Sequence, residues 1–468
     1  MQGLLTMSDQ SIENRWDQVD SYLKQHGTRF EDELKALIRI PSVSAQPVHN
    51  ADTRKAAEFV RDDLIAHGIK AHLVETAGHP IVLGRSPEVP GQPTVLVYGH
   101  YDVQPAEKAD GWDSEPFEPV VKNGNIYARG ATDDKGQFYT YLKATEAWMK
   151  AGGGLPVNVI YVIEGEEEVG GANLEKFFAD HAGELACDYA VISDCSQWAP
   201  GQPAVTYGLR GLCYLELHVH GPKNDLHSGM FGGAIKNPLN ALCQIIASLH
   251  DADGRIAIEG FYDAVKPLAD WERAEFAKLP FNETKWKNDL GVTEVFGENG
   301  YSTLERKSAR PTCDVHGLWG GYSGPGPKTV LPARAGAKLS FRLVPDQDNK
   351  VIAELFRRHV ARVCPPGVTF EVIDHHGAPG VVVATDTPGM AAARKAIAAA
   401  FENPPVMVRE GGSIPVVGLI KDQLKVDTLL LGWGQNDDNL HGPNEKFSIA
   451  DFHRGIRAGS RFFAELAR

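Results

Sequence analysis

A histidine and an aspartate follow the most apolar stretch in the first third of this chain. Thr94–Tyr98 is β-branched, aliphatic or aromatic, which predicts a buried strand, and it runs through Gly99 into His100 and Asp102. A histidine two residues from an aspartate can bind a metal while the carboxylate orients the imidazole. The same spacing also occurs in ordinary hydrogen-bonded turns, so this pair alone does not identify a metal site.

Other acids and one further histidine also follow predicted strands or precede a predicted helix. These groups are Asp133 and Asp134 before a helix, Glu164–Glu168 after the strand Val157–Ile163, Asp194 after the strand Tyr189–Ser193, and His441 after the run Thr428–Leu431. The carboxyl ends of parallel strands meet at one edge of an α/β sheet, so we expect these side chains to lie together.

Two histidines with several carboxylates suit zinc, and manganese or cobalt can substitute for it. Two metal ions need a carboxylate that bridges them, and one additional acid can serve as a general base. Residues 166–168 are three consecutive glutamates. Composition alone therefore leaves open which of them is a ligand and which is the base.

The elements that must position these residues alternate between strand and helix. Amphipathic helices are predicted within Ser11–Ile40 and over Ala51–His67, a further helix over Gln137–Met149, and a last one from about Ser448 to Leu466. This alternation predicts an α/β domain with a mixed, largely parallel sheet.

The pattern changes near Gly208. Cys213–His220 alternates as a half-buried strand, Pro238–His250 is helical, and Phe261–Tyr322 is a polar, aromatic-rich tract without a clear period. Further strands and a helix predict an α+β domain inserted into the first one. The expected boundaries are 1–208 and 387–468 for the two segments of the catalytic domain, and 209–386 for the insertion.

Length and charge bound the function. At 468 residues the chain exceeds one hydrophobic core, and a net charge of -14 with a pI near 5.7 argues against nucleic acid or an anionic membrane as partner. The six cysteines are scattered, which favours a reducing compartment. With no secretory signal and no long apolar run visible, we expect a cytoplasmic protein.

Several motifs together carry a resemblance to a known family. They are G-H-Y-D-V-Q-P, R-G-A-T-D-D-K-G, E-G-E-E-E-V-G, I-S-D and N-L-H-G-P-N-E, with D-L-H-S-G at Asp225–Gly229 and R-E-G-G-S-I-P at Arg409–Pro415. The chain resembles the di-zinc metallopeptidases that include carnosinase, aminoacylase and glutamate carboxypeptidase. It is most similar to the cytosolic non-specific dipeptidase and carnosinase branch, and the match covers nearly the whole chain.

The resemblance implies a role for each matching residue. His100 and Asp194 would hold one zinc ion, Glu168 and His441 the other, and Asp133 would bridge both. The register from Glu164 makes Glu167 the general base, and Asp102 would orient His100. Asp134 is not expected to be a ligand; we expect it to pair with Lys135 or to cap the helix that starts there.

The resemblance also implies a ferredoxin-like lid that forms a homodimer. His227 would lie on this lid and reach the active site of its own or of the neighbouring subunit. The positions that match substrate-binding residues are Thr329, Arg342, Arg409 and Ser413.

The sequence thus predicts a zinc-dependent hydrolase of dipeptides or other short peptides. The tract Phe261–Tyr322 favours the dipeptidase branch over the first alternative, an N-acyl amino acid deacylase. A second alternative is a non-catalytic homologue that binds metal or peptide. The presence of all five expected ligands together with Glu167 argues against that alternative.

Overall fold

The computed structural model describes residues 7–412 and 414–468, which form two compact units. The first unit contains 7–207, Val383–Val408 and Leu419–Arg468. The inserted unit contains Gly208–Val382 and the described part of Arg409–Gly418. Arg409–Gly418 thus groups with the inserted unit although it follows the return to the first unit. The functional boundaries 1–208, 209–386 and 387–468 remain our proposal.

Both units contain helices. They are α1 (Met7–Ile38), α2 (Asn50–Ala66), α3 (Lys135–Ala151), α4 (Leu174–His181), α5 (Ser228–Phe231), α6 (Pro238–Ala247), α7 (Asp270–Lys278), α8 (Glu283–Leu290), α9 (Thr303–Ala309), α10 (Asn349–Val363), α11 (Pro388–Phe401), α12 (Pro415–Leu424) and α13 (Ile449–Leu466). Among the described residues, no helix is long and apolar enough to cross a membrane.

The strands of the two larger sheets are mostly longer than those of the two small sheets. They are β1 (Lys70–Val74), β2 (Ile81–Arg85), β3 (Thr94–His100), β4 (Val120–Lys122), β5 (Asn125–Tyr127), β6 (Asn158–Glu164), β7 (Tyr189–Ile192), β8 (Ala204–Leu209), β9 (Gly211–His220), β10 (Leu226–His227), β11 (Thr312–Gly320), β12 (Val330–Leu331), β13 (Arg334–Leu343), β14 (Thr369–Ala378), β15 (Val381–Val382), β16 (Val406–Glu410), β17 (Thr428–Leu430) and β18 (Lys446–Ser448).

The main sheet is mixed, with a parallel centre. Its strand order is β1-β2-β6-β3-β7-β17-β8-β15, and β16 pairs with β8. The neighbours β6, β3, β7 and β17 are parallel, whereas β1 and β2 at one edge and β8 at the other pair antiparallel. The mixed α/β sheet expected from the sequence is confirmed, and its parallel pairings among the described strands join the four central ones.

The central strands are apolar because they are covered on both faces. In β3 every residue after Thr94 is buried, and β6 is buried along nearly its whole length. Helix α3 is buried from Lys135 to Trp148 and packs against α1, α13 and β3. Strands buried on both faces read as continuous apolar runs rather than alternating ones.

The inserted unit is built on a second sheet, an antiparallel one. Its strand order is β11-β13-β9-β14, and α6 and α10 pack on it. Strand β9 alternates, so that Leu215, Leu217 and Val219 enter the core shared with the helices. Tyr214, Glu216 and His218 lie on the opposite, more open face. The tract Phe261–Tyr322 contains α7, α8 and α9 and ends in β11.

Candidate metal centre

The last residue of β3 presents a buried imidazole at the carboxyl edge of the sheet. His100 pairs in register with Glu164 at the end of β6, so these two residues lie side by side at the carboxyl edge of the sheet. Its Nδ1 lies 3.1 Å from the main-chain oxygen of Asp102 and 3.4 Å from the Asp102 carboxylate. A hydrogen bond from Nδ1 to either oxygen leaves Nε2 with the lone pair that a metal ligand needs.

Asp133 lies between two imidazoles. Its Oδ1 is 3.2 Å from His100 Nε2, and its Oδ2 is 3.0 Å from His441 Nε2. His441 Nε2 is in turn 3.4 Å from Glu168 Oε2. One carboxylate therefore faces a histidine with each of its oxygens, which is the geometry of a bridging ligand.

The candidate ligand atoms form two groups that share Asp133. One group is His100, Asp133 and Asp194, the other is Asp133, Glu168 and His441, and within each group the atoms lie within 4.8 Å of one another. Ligands at about 2.1 Å from one tetrahedral zinc are ~3.4 Å apart. The structure thus brings together all five residues that were expected to be ligands.

The charges of this site fit divalent cations. His100 Nε2 is buried and has no hydrogen-bond partner among the described residues, although it lies beside a carboxylate. Burial raises the pKa of Glu168 to about 7, and burial together with Asp133 raises the pKa of Asp194 well above its ordinary value. Buried carboxylates are stable as anions only when a cation or hydrogen bonds compensate them. The donor set therefore fits a pair of divalent metal ions.

Glu167 is near the two groups but belongs to neither of them. It begins the short 3-10 turn Glu167–Val169, which is separated from the end of β6 by two residues. Burial raises the pKa of Glu167, against the opposing effect of His100. A carboxylate with a raised affinity for protons, placed at the edge of a metal site, has the property that a general base needs.

A layer of hydrogen bonds holds the candidate ligands in place. Gln104 Nε2 donates to Glu168 Oε2 at 2.8 Å. Asp102 Oδ2 accepts from the main-chain amide of Glu168 at 3.2 Å and from Ser44 Oγ at 2.7 Å. Asp102 therefore contacts both His100 and the turn that carries Glu168.

Glu445 is a site residue that the sequence analysis did not single out. It is fully buried, and its carboxylate accepts hydrogen bonds from the amides of Thr132 and Asp133 at 2.9 and 3.1 Å and from the amide of Gly130 at 3.0 Å. It also pairs with Arg129 at 2.7 Å. It lies four residues after His441 in N-L-H-G-P-N-E, so it connects the loops of two candidate ligands.

Neither expected role of Asp134 is found, so this expectation was wrong. Asp134 is the N-cap of α3 but makes no side-chain cap, and its Oδ2 accepts from the amide of His100 at 3.3 Å. Lys135 is buried and donates to the main-chain oxygens of Leu37 and Ile40 at 3.3 and 2.6 Å. The lysine thus fixes the end of α1.

The inserted unit carries His227, Thr329, Arg342 and Arg409. His227 is exposed at the end of β10, where it pairs in register with Val330, and its Nδ1 accepts from the amide of Gly229 at 3.0 Å. The main-chain oxygen of Thr329 accepts from the amide of Ser228 at 3.1 Å. His227 and Thr329 therefore lie on one small two-stranded ladder.

The two predicted substrate-binding arginines differ in their surroundings. Arg342 lies in β13 opposite Thr312 and Leu212, and burial lowers its pKa. Arg409 forms an ion pair with the buried Glu272 of α7. Ser413 lies outside the described residues.

Comparisons with known proteins agree with this site. Residues 96–465 match Peptidase family M20/M25/M40. The Cys-Gly metallodipeptidase dug1 of Schizosaccharomyces pombe is 34% identical over 98% of this chain and 98% of its own length. The crystal structure of human carnosine dipeptidase 1 has a TM-score of 0.83 to this chain, with 30% identity over 97% of this chain and 98% of that one. A metallo-carboxypeptidase of the M20 family from Sulfolobus solfataricus has a TM-score of 0.84 and 32% identity over 94% and 99%.

Proposed function

The chain belongs to Peptidase family M20/M25/M40, and from this premise we propose that it is a metal-dependent dipeptidase. The observation that carries the proposal is the pair of ligand groups that share Asp133 in the first unit. The relatives that match the whole chain are named as a Cys-Gly metallodipeptidase and as a carnosine dipeptidase, which supports a substrate of two residues.

We propose two zinc ions per chain, with manganese or cobalt as substitutes. His100 and Asp194 would hold one ion, Glu168 and His441 the other, and Asp133 both. Two divalent cations would supply four positive charges to a site whose carboxylates include Asp133, Asp194, Glu167 and Glu168. When bound, such ions lower the pKa of the attacking water and polarise the scissile carbonyl.

The chain's own residues carry the proton. Glu167 would accept it from the attacking water and deliver it to the leaving amine, because its raised pKa lets it hold a proton between the two steps. Asp102 would keep His100 in the tautomer with a free Nε2, through the contacts at Nδ1.

The substrate would be held by residues of the inserted unit. Arg342 and Thr329 would bind the carboxylate end of the dipeptide. The resemblance also assigns Ser413 to substrate binding. Arg409 is already paired with Glu272, so a carboxylate would have to compete with that glutamate. Glu272→Gln is expected to lower the KM for dipeptides if Arg409 binds substrate.

We further propose a homodimer formed through the inserted unit, with His227 of one chain acting as oxyanion donor in the other. His227→Ala and Glu167→Ala chains are each expected to be nearly inactive. After subunit exchange, about half of the dimers are mixed and each has one complete site, so roughly a quarter of the wild-type activity should return. No recovery, with exchange verified by mass, would contradict the shared site.

All six cysteines lie among the described residues and none of them forms a disulfide there, which supports our proposal of a reducing, cytoplasmic location. The substrate class is tested on purified, zinc-loaded protein with a panel of free dipeptides, longer peptides with blocked N-termini, and N-acetyl amino acids. We expect the highest kcat/KM for dipeptides. A preference for blocked peptides would favour a carboxypeptidase, as in the Sulfolobus relative, and a preference for N-acetyl amino acids would favour a deacylase.

A further inference from the structure

The open face of the inserted unit's sheet carries a second group of metal-binding side chains. His218 and His220 lie two residues apart on β9, so both side chains are on the same face. Glu371 on β14 pairs in register directly opposite His218. One candidate ligand atom from each of these three residues lies within 4.8 Å of the others. We call these three residues the sheet cluster.

The register explains why the three side chains meet. Residues directly opposite in an antiparallel pair have Cβ atoms about 5 Å apart, and diagonal neighbours remain within reach of long side chains. His220 Nε2 is 3.8 Å from Glu371 Oε2, close to the ~3.4 Å between two ligands on one zinc. A small rotation of the exposed glutamate would bring both onto one ion.

A neighbouring carboxylate determines which ring nitrogen of His218 keeps a lone pair for a metal ion. Glu216 Oε1 lies 2.6 Å from His218 Nε2, and its Oε2 lies 3.1 Å from His375 Nε2. When Nε2 donates to Glu216, Nδ1 keeps the lone pair. A carboxylate behind a histidine in this way fixes its tautomer and increases its basicity as a metal ligand.

An indole closes one flank of the sheet cluster. In the row across the sheet, Trp319 lies opposite Gly336, and Gly336 lies opposite His218. The Trp319 side chain occupies the space above the glycine, where an added Cβ would meet the ring at 2.1 Å. Its ring is edge-on to His218 at 5.6 Å. The imidazole is thus held between a carboxylate and an aromatic ring.

We propose that His218, His220 and Glu371 form a zinc site on the inserted unit, with Glu216 as the positioning residue. Two imidazoles and one carboxylate are a zinc donor set that leaves a coordination position for water. The ion would join β9 to β14, which is the edge strand of this sheet. The site is separate from the residues that match the di-zinc family.

The test compares zinc bound per chain over a series of buffered free zinc concentrations. Wild type is compared with Glu371→Gln, with the double variant His218→Gln and His220→Gln, and with His316→Gln as matched control. His316 is another histidine of the same sheet, on β11, that contacts Ser340 and lies outside the cluster. Glu371 is 61% exposed, so its substitution leaves the fold intact.

We expect wild type and the His316 variant to bind one zinc ion more than the double variant, and Glu371→Gln to bind it at least ~10-fold more weakly. Glu216→Gln should weaken the same site by ~10–100-fold without removing it. Identical zinc isotherms for wild type, Glu371→Gln and the double variant would overturn the proposal. Because the readout is a difference between variants of the inserted unit, it does not depend on how many ions the first unit holds.

Discussion

Two groups of histidines and carboxylates in this chain differ mainly in their access to water. In the metal centre, the side chains of His100 and Asp133 are 1% and 8% exposed, and no residue that the structure describes hydrogen-bonds His100 Nε2. In the sheet cluster, the side chains of His220 and Glu371 are 33% and 61% exposed. His441 of the metal centre is 57% exposed, so the contrast lies in the carboxylates, which are buried in the metal centre and exposed in the sheet cluster.

The difference indicates how strongly each group depends on a cation. Water stabilises the charges of the sheet cluster whether or not an ion is bound, so bound zinc would stabilise them only modestly further. The buried carboxylates of the metal centre have no such alternative, because burial without a counter-charge is costly. We therefore expect tight metal binding in the first unit and weaker, reversible binding on the inserted unit.

The largest effect should follow from removing the shared ligand. Asp133→Ala takes one ligand from each of the two ions, so both should be lost and hydrolysis should fall to background. Elemental analysis after dialysis measures the zinc, and Asp194→Ala, which should mainly weaken one ion, is the control. The sheet cluster should be unaffected in both variants. Retention of two ions by Asp133→Ala would place the bridge elsewhere.

Substituting the proposed base should separate chemistry from metal binding. Glu167→Gln keeps the side-chain volume but cannot take a proton, so kcat should fall by ~10²–10⁴ while the zinc content stays at the wild-type level. Glu168→Gln, one residue on, should instead reduce zinc content. If Glu167→Gln loses zinc and Glu168→Gln loses turnover without losing zinc, the roles of base and ligand are exchanged between these two residues.

A smaller effect is expected from the residue that holds the Asp133 loop. Glu445→Gln weakens the hydrogen bonds to the amides of Thr132 and Asp133 and the ion pair with Arg129. We expect zinc affinity in the first unit to fall by ~10–100-fold, with activity restored at high zinc. Asp437→Asn, an exposed acid near the same loop, is the control. An unchanged zinc affinity would show that Glu445 contributes only to folding.

The smallest effect concerns the pH dependence of the metal-free chain. Burial raises the pKa of Glu164 from 4.5 to about 8 and that of Glu168 from 4.5 to about 7. The folded state then binds more protons than the unfolded state above about pH 4.5, so stability falls as the pH rises. Burial lowers the pKa of Lys135 to about 7. This lysine makes the stability rise with pH, but only above about pH 7.

Between about pH 5 and about pH 7, the Tm of zinc-stripped protein should therefore decrease by a few degrees. Zinc-loaded protein should show a smaller decrease or an increase, because the ligands must be deprotonated to bind metal. The two curves are measured by scanning calorimetry. A Tm of the stripped protein that rises over this range would contradict the assignment of unbalanced buried carboxylates.

Much of the first unit could be predicted from the sequence because its signals are local. The apolar runs of β3, β6, β7 and β17 mark strands that are buried on both faces, and a polar residue after each run marks the carboxyl edge. Motif resemblance then supplied the pairing of ligands. The geometry brings those ligands together, and their roles remain our proposal.

What could not be predicted depends on contacts between distant segments. Glu445 bonds to amides more than 300 residues earlier, and Arg409 pairs with Glu272 across 137 residues. The sheet cluster requires the pairing of β9 with β14, which no local pattern reveals. The apolar run Ile414–Leu419 is too short for its pattern to distinguish a strand from a helix, and from Pro415 onward it lies in α12.

The most direct test of the shared carboxylate is a crystal structure of the zinc-loaded protein with anomalous data at the zinc edge. We predict two strong peaks in the first unit, each within about 2.2 Å of a different oxygen of Asp133, with His100 beside one and His441 beside the other. A single peak, or two peaks that do not share Asp133, would contradict the account.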